Sequence, residues 1–264
     1  MPDSIEPARA NSIATICHEK VLNVPVARAS LNETVAFVDQ TIRNRQSVQH
    51  VSMNVAKLVA MRSDSMLRSD VRSSELVGVD GMGIFWAARL LGIHLPERVA
   101  GIDLMNALLD LCAKRGYRPY LLGARQDVLT VAVAEIQKSY PSLKFAGWRN
   151  GYFSAEEESA VVEQIRSAKA DCLFVGLPTP KKERFLARYR KTLGVPFIMG
   201  VGGSLDVSAG YVRRAPRTVQ ALGLEWLFRV IQEPTRLGPR YLKTNAAFTM
   251  ILLKALLARY VTAK

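Results

Sequence analysis

The segment Glu75-Leu76-Val77-Gly78-Val79-Asp80-Gly81-Met82-Gly83 constrains this chain more than any other. A short apolar run at 76–79 ends in a carboxylate flanked by glycines, and apolar residues at helical spacing follow over 84–91. That is the pattern of a buried strand running into a helix, with Asp80 at the strand's carboxyl end. In open α/β sheets, ligands occupy the crevice beyond that edge. An ionised Asp there is a candidate general base. Asp is equally favoured as the cap of the next helix, and the segment alone supports both readings.

The same alternation recurs down the chain. Ser30-Leu31-Asn32-Glu33 resembles a capping box and opens a helix over 34–45. Residues 49–54 form a strand ending in polar residues, and 55–61 a helix. Asp103 is expected to cap a helix running to Lys114. Strands follow at 119–122, 143–146, 172–175 and 195–201, closed by Gly123, Gly147, Gly176 and Gly202-Gly203. Helices at 127–139, from Ser154 (a second capping box) to Ser167, and at 181–191 separate them. Strands separated by helices of this length pair in parallel through right-handed crossovers. The expected fold is therefore α/β, a doubly wound, mainly parallel Rossmann-like sheet. Glycine at one strand end is explained by a tight turn. A row of such ends, each followed by an amide-rich helix start, describes a crevice for a nucleotide diphosphate.

The charge is unevenly placed. The net charge is +13, and residues 213–264 hold ten Lys or Arg against Glu225 and Glu233, +8 of that total. The division expected is a loose leader at 1–20, an α/β domain at 21–212 and a basic helical appendage at 213–264. In the appendage, Pro216 starts a helix through Ile231, Pro234 and Pro239 break it, and residues 241–263 form a second. Basic residues among Trp, Phe and Leu give these helices an interfacial character. The most apolar window, 246–261, is interrupted by Lys254 and Arg259 and is too short to span a bilayer. No export signal opens the chain. The expected location is cytoplasmic, peripheral on the membrane's inner face.

Other chemistries are disfavoured. Cys17, Cys112 and Cys172 are isolated and read as reduced thiols, and the three histidines have no ligand spacing with them. After the strand ending at Val201, Leu205 stands where a dinucleotide fingerprint needs its third glycine. There is no P-loop, Ser-centred elbow or H-E-x-x-H. No D-x-D occurs, so no metal site and no cofactor are expected, and a diphosphate's charge would fall to arginines and backbone amides. The basic residues are interleaved with aliphatic runs, which argues against nucleic acid as the partner and for an anionic membrane surface.

Several stretches together resemble the WecG/TagA/CpsF glycosyltransferases, over about residues 20 to 245. They are Val51-Ser52-Met53-Asn54, Val79-Asp80-Gly81, the Pro96-Glu97-Arg98 segment, and the Pro180-Lys181-Lys182-Glu183 and Gly200-Val201-Gly202-Gly203 segments. Arg214-Ala215-Pro216, Gly223-Leu224-Glu225-Trp226 and Glu233-Pro234-Thr235-Arg236 complete the set. The resemblance implies a metal-independent inverting transferase. It would move a sugar from a UDP-sugar to a saccharide on a polyprenyl diphosphate, in surface-polysaccharide synthesis, and a homo-oligomer is compatible with it.

Residue by residue, the resemblance makes Asp80 the base and places Ser52, Asn54 and Arg98 in the donor and acceptor pocket with Lys182 and Gly202. It gives Arg229, Arg236 and Arg240 to the diphosphate and the membrane. Ser52 replaces the family's usual Thr, and Lys182 its Gln. An ammonium favours a carboxylate or diphosphate oxygen over an amide-type contact. A GumM-like glucosyltransferase or a uronic-acid donor therefore competes with an N-acetylmannosamine donor.

Each of these residues has a plainer reading. Ser52 and Asn54 can close a strand, Arg98 can pair with Glu97 or Asp103, Lys182 can be solvated, and the tail arginines can lie on lipid. The competing functions are another nucleotide-using Rossmann-like enzyme and a non-enzymatic module that binds membrane or nucleic acid.

Overall fold

The computed structural model describes residues 16–262, so residues 1–15 of the expected leader, with 263–264, lie outside the described residues. β1 (His18–Val21), which begins inside that leader, pairs antiparallel with β2 (Val24–Ala27). Then come α1 (Leu31–Arg43), β3 (Val48–Met53), α2 (Val55–Ser63), α3 (Ser65–Arg72), β4 (Leu76–Val79) and α4 (Met82–Leu90). They are followed by α5 (Gly101–Arg115), β5 (Pro119–Gly123), α6 (Gln126–Ser139), β6 (Gly147–Arg149), α7 (Glu158–Ser167), β7 (Cys172–Gly176), α8 (Lys181–Leu193), β8 (Phe197–Gly200) and α9 (Ser204–Ser208). The appendage holds α10 (Arg217–Ala221), α11 (Glu225–Gln232) and α12 (Pro234–Thr262).

Six strands form one parallel sheet in the order β4-β3-β8-β7-β5-β6. Side chains on a strand alternate between faces, and the core divides accordingly. Leu76, Leu121, Phe174, Phe197 and Met199 pack with α1, α5 and α6. Their neighbours divide between two clusters on the other face: Val51, Met53, Val77 and Val79 meet α2, α3 and α4, while Leu122, Leu173, Val175 and Ile198 meet α7 and α8. Both faces are covered by helices, which is the doubly wound arrangement the alternation predicts. Cys112 and Cys172 are buried free thiols with Sγ atoms 3.4 Å apart.

Strand order reverses beside β3. The chain moves outward from β3 to β4, crosses to β5 and β6, and returns through β7 to place β8 against β3. The carboxyl ends of β3, β4 and β8 therefore meet at the switch point, where a doubly wound sheet opens a crevice. They deliver Ser52 and Asn54, Asp80, and the turn Val201-Gly202-Gly203 to one edge. Gly202 has φ of +53°, a left-handed conformation that favours glycine.

Several local expectations are corrected. The edge strand β6 lies at 147–149, not 143–146; Leu143 is instead a buried loop residue. Ser154 and Glu157 form only a turn, and α7 starts at Glu158. Asp103 does not cap α5, whose N-cap is Ala100; it lies in the first turn and pairs with Arg214. The helix expected from Pro216 to Ile231 is two helices, separated at Gly223, which has φ of +73°.

The expected break at Pro234 is there, since α11 ends at Gln232, but Pro239 does not break the last helix. Pro234 occupies its first position, where a missing N–H costs nothing, and Pro239 is carried inside α12. That part of the helix is held by the buried Leu237 and by Tyr241, whose ring is 5.7 Å from that of Trp226.

Candidate active site

Asp80 leaves the end of β4 with its backbone N–H donated to the Met53 carbonyl at 3.0 Å, as is that of Gly81. These bonds tie the end of β4 to that of β3. The N-cap of α4 is Gly81, and no side chain caps that helix, so the reading of Asp80 as its cap fails. The carboxylate turns away and its Oδ1 accepts the N–H of Gly101 at 3.2 Å, at the start of α5. A carboxylate at a helix N-terminus is in favourable company. Ser52 faces the same spot: a Cβ built on Gly101 would lie 3.2 Å from Ser52 Oγ and 3.6 Å from Asp80 Oδ2. The absence of a side chain at Gly101 thus leaves the space where the hydroxyl and the carboxylate converge.

Around this pair stand charged groups from the appendage and its approach. Arg98 Nη1 donates to the Asp80 carbonyl at 3.1 Å and lies 3.5 Å from Glu225 Oε2 on α11. Arg98 is therefore not paired with Glu97 or Asp103. Glu97 accepts the Leu31 N–H, and Asp103 takes two bonds from Arg214, each 2.6 Å long. Burial raises the proton affinity of the Asp80 carboxyl above the usual aspartate value. The Gly101 N–H and the Arg98 charge oppose this, Glu225 adds to it, and Arg229 opposes it again. The result is a half-buried carboxylate that holds a proton better than an ordinary aspartate.

The remaining expected residues divide. Asn54 reaches the same strand end, but its side chain caps α2 by accepting the Lys57 N–H at 2.9 Å. Of the three tail arginines, Arg229 on α11 is half-buried and near enough to act on Asp80. Arg236 is exposed and bonded to Glu233. Arg240 is exposed on α12.

Lys182 is not solvated, and the Asp80 charge is among those that act on it. It lies on the α8 side of the sheet, where its Cε would be 2.6 Å from a Cβ on Gly200, and it is 5% exposed. Its Nζ is 3.6 Å from Glu183 Oε1, which Lys57 Nζ approaches to 2.9 Å. Burial, then the charge of Lys57, lowers the Lys182 pKa to about 8 against the pull of Glu183. Burial opposes ionisation of Glu183, but the two lysines hold its carboxyl below the usual range. The nearby imidazole of His50 is kept neutral by burial and by both lysines, with a pKa of about 3.

Sequence reasoning gave no role to Arg214, Glu225, Lys57 or Gly101. One signal was available: Glu225 is one of two acids among ten bases in the last fifth of the chain. An acid retained in so basic a segment marks a place where a cation must be held.

The appendage also presents apolar surface. Phe248, Ile251 and Leu252 of α12 pack on the cluster around α2, while Met250, Leu253, Leu257 and Val261 face solvent. Among the described residues, no helix is long and apolar enough to cross a membrane, and no group of three or more His, Cys, Asp or Glu side chains is placed to hold a metal ion.

An acid of raised proton affinity at the switch point, ringed by guanidinium groups, suits the transfer of a group from a phosphorylated donor. The sequence model described as the Glycosyl transferase WecG/TagA/CpsF family matches residues 19–262. The chain belongs to that family. As a member of the WecG/TagA/CpsF family it is a glycosyltransferase, of the hexosyltransferase kind. Among similar proteins is the N-acetylglucosaminyldiphosphoundecaprenol N-acetyl-beta-D-mannosaminyltransferase of Bacillus subtilis, 32% identical over 219 residues, which are 83% of this chain and 85% of that protein. A protein of the same description from Bacillus spizizenii is 32% identical over 164 residues, 62% of this chain and 63% of the relative. The family match runs through α12 and so takes in the basic appendage.

Proposed function

We propose that the protein transfers a sugar from a UDP-sugar to a saccharide carried on a polyprenyl diphosphate, with inversion at the anomeric carbon. In this reading the acceptor hydroxyl lies against Asp80, which takes its proton as the oxygen attacks the anomeric carbon. UDP departs from the opposite face. Ser52 orients the reacting groups, and Arg98 and Arg229 neutralise charge on the diphosphate. The single observation that carries the proposal is the Asp80 carboxylate, set at the switch-point edge beside Ser52 with its proton affinity raised by burial.

The acceptor class is supported by the two relatives, whose names place N-acetylglucosamine on undecaprenyl diphosphate. The exposed apolar and basic face of α12 supports work at the cytoplasmic membrane surface. Metal independence is part of the proposal and rests on the missing D-x-D. For the donor, glucose, N-acetylmannosamine and a uronic acid remain the three classes.

The test is UDP release from a panel of UDP-sugars with a short-chain polyprenyl-diphosphate saccharide, run with and without a chelator. The reading expects release from one donor class, only with acceptor present, and insensitive to chelation. Turnover that needs no lipid-linked acceptor would refute it.

A further inference from the structure

The appendage places an acid where its charge works against an anionic ligand. Glu225 is shared by two guanidinium groups and held closely by neither: Oε2 is 3.5 Å from Arg98 Nη1 and Oε1 is 3.8 Å from Arg214 Nε. The contrast is with Asp103, which takes both terminal nitrogens of Arg214 at 2.6 Å. Arg214 Nε itself is buried with no hydrogen-bond partner. A buried donor left unmade costs its full desolvation, so an orphan of this kind calls for an explanation.

Around Asp80 stand Arg98, Arg214 and Arg229 against Asp80, Asp103 and Glu225, with Lys182 acting from the other side of the sheet. The three guanidinium groups and the Lys182 ammonium face three carboxylates, so most of the positive charge is already matched. Such a pocket offers a diphosphate little net attraction until one carboxylate gives up its partners. Asp103 is fixed by two short bonds, and Asp80 is tied to Gly101. Glu225 is the loosely held one.

We propose that Glu225 is an exchangeable counter-ion, occupying Arg98 and Arg214 in the free enzyme and yielding both to the diphosphate of the substrate. Arg214 then becomes a diphosphate ligand through its Nε edge, with Asp103 holding the rest of its fork in place. The inference rests on the nucleotide-sugar reading above, because it takes the incoming anion to be a diphosphate ester.

The test is calorimetric titration of the full chain with UDP and, separately, with inorganic pyrophosphate. Glu225→Gln is expected to bind UDP roughly tenfold more tightly, the order of one charged hydrogen bond released. In an Arg214→Gln background the gain should shrink by more than half. An Arg98→Gln background serves equally should Arg214→Gln fail to fold. Glu225→Asp, which keeps the charge, is expected to stay within about twofold of wild type, since the carboxylate still competes.

An equal gain in every background would reduce Glu225 to a general repulsive charge and overturn the exchange. Weaker UDP binding by Glu225→Gln, or new proteolytic cleavage between the sheet and α11 in that variant, would make Glu225 a strut and overturn it as well. Binding of neither UDP nor pyrophosphate by any form, wild type included, would remove the nucleotide-sugar function itself. That result is distinct, because in the other cases the wild type still binds.

Discussion

Asp80 Oδ1 accepts the backbone N–H of Gly101 at 3.2 Å, so the carboxylate that ends β4 is aimed by the first residue of α5. The bond fixes a base that folding disfavours in its charged form. It also makes Gly101 part of the site, although glycine carries no chemistry of its own.

Stability should record the cost of that charge. The folded-state pKa of Asp80 is raised, so between the unfolded value, about 3.9, and the higher folded value the native state binds more protons. Stability attributable to Asp80 is therefore lost as pH rises through that window, and the penalty is full above it. Asp80→Asn keeps an acceptor for Gly101 and removes the charge. It is expected to raise Tm at pH 8, with the gain vanishing at the acid end of the window. Thermal melts across pH check this, and a lower Tm at pH 8 would count against the burial argument. Wild-type kcat/KM should have its acid limb above the ordinary aspartate range.

Gly101→Ala separates fold from function. Gly101 is the first residue of α5, where helix propensity counts little, so Tm should stay close to wild type. The new methyl would stand 3.2 Å from Ser52 Oγ and 3.6 Å from Asp80 Oδ2, in the space a reacting hydroxyl needs. Turnover is expected to fall by about a hundredfold, the order that small misplacements cost. Unchanged steady-state kinetics would mean the acceptor does not enter there.

The helical and strand periodicities, the parallel sheet and the position of Asp80 were legible because alternation and glycine-ended strands follow local rules. What stayed hidden lies where tertiary contact, and not a local rule, decides. Pro239 is tolerated inside α12, in the stretch between Leu237 and Tyr241, two residues already packed. Arg98 found Glu225, 127 residues away, in preference to Glu97 beside it. Lys182 is the plainest case, since no sequence rule foretells that a lysine in a charged Lys-Lys-Glu-Arg run will be buried with Lys57 on one carboxylate.

Burial of Lys182 also has a pH signature. Its folded pKa is lowered to about 8. Below that value the folded state carries the full cost of a buried ammonium, and stability should rise as pH climbs from about 8 towards the ordinary lysine value of about 10.4. Lys182→Gln leaves Glu183 paired with Lys57 at 2.9 Å. It is expected to stabilise the protein at pH 7 and to flatten that alkaline rise. Denaturant midpoints at pH 7 and pH 10 decide the matter, and a destabilised variant at pH 7 would show that Lys182 is needed where it is.

The exposed stripe on α12 should matter for lipid and little for the sheet. Leu253 and Leu257 are 53% and 65% exposed, whereas Phe248 on the same helix is buried at 8%. Leu253→Lys with Leu257→Lys should lower partition onto electrically neutral vesicles, because each loses an inserted apolar side chain. Turnover of a soluble short-chain acceptor should fall far less. Equal losses in both assays would assign the stripe to folding or to contact between copies.

The account stands or falls on Asp80 as the base that accepts the acceptor's proton. The most direct measurement is UDP release by purified Asp80→Asn and Asp80→Ala, compared with wild type, using the competent UDP-sugar and a short polyprenyl-diphosphate saccharide. UDP affinity is titrated in parallel. A kcat lower by about 10²–10⁴, with UDP binding retained, is the result predicted. Wild-type turnover in either variant would contradict it.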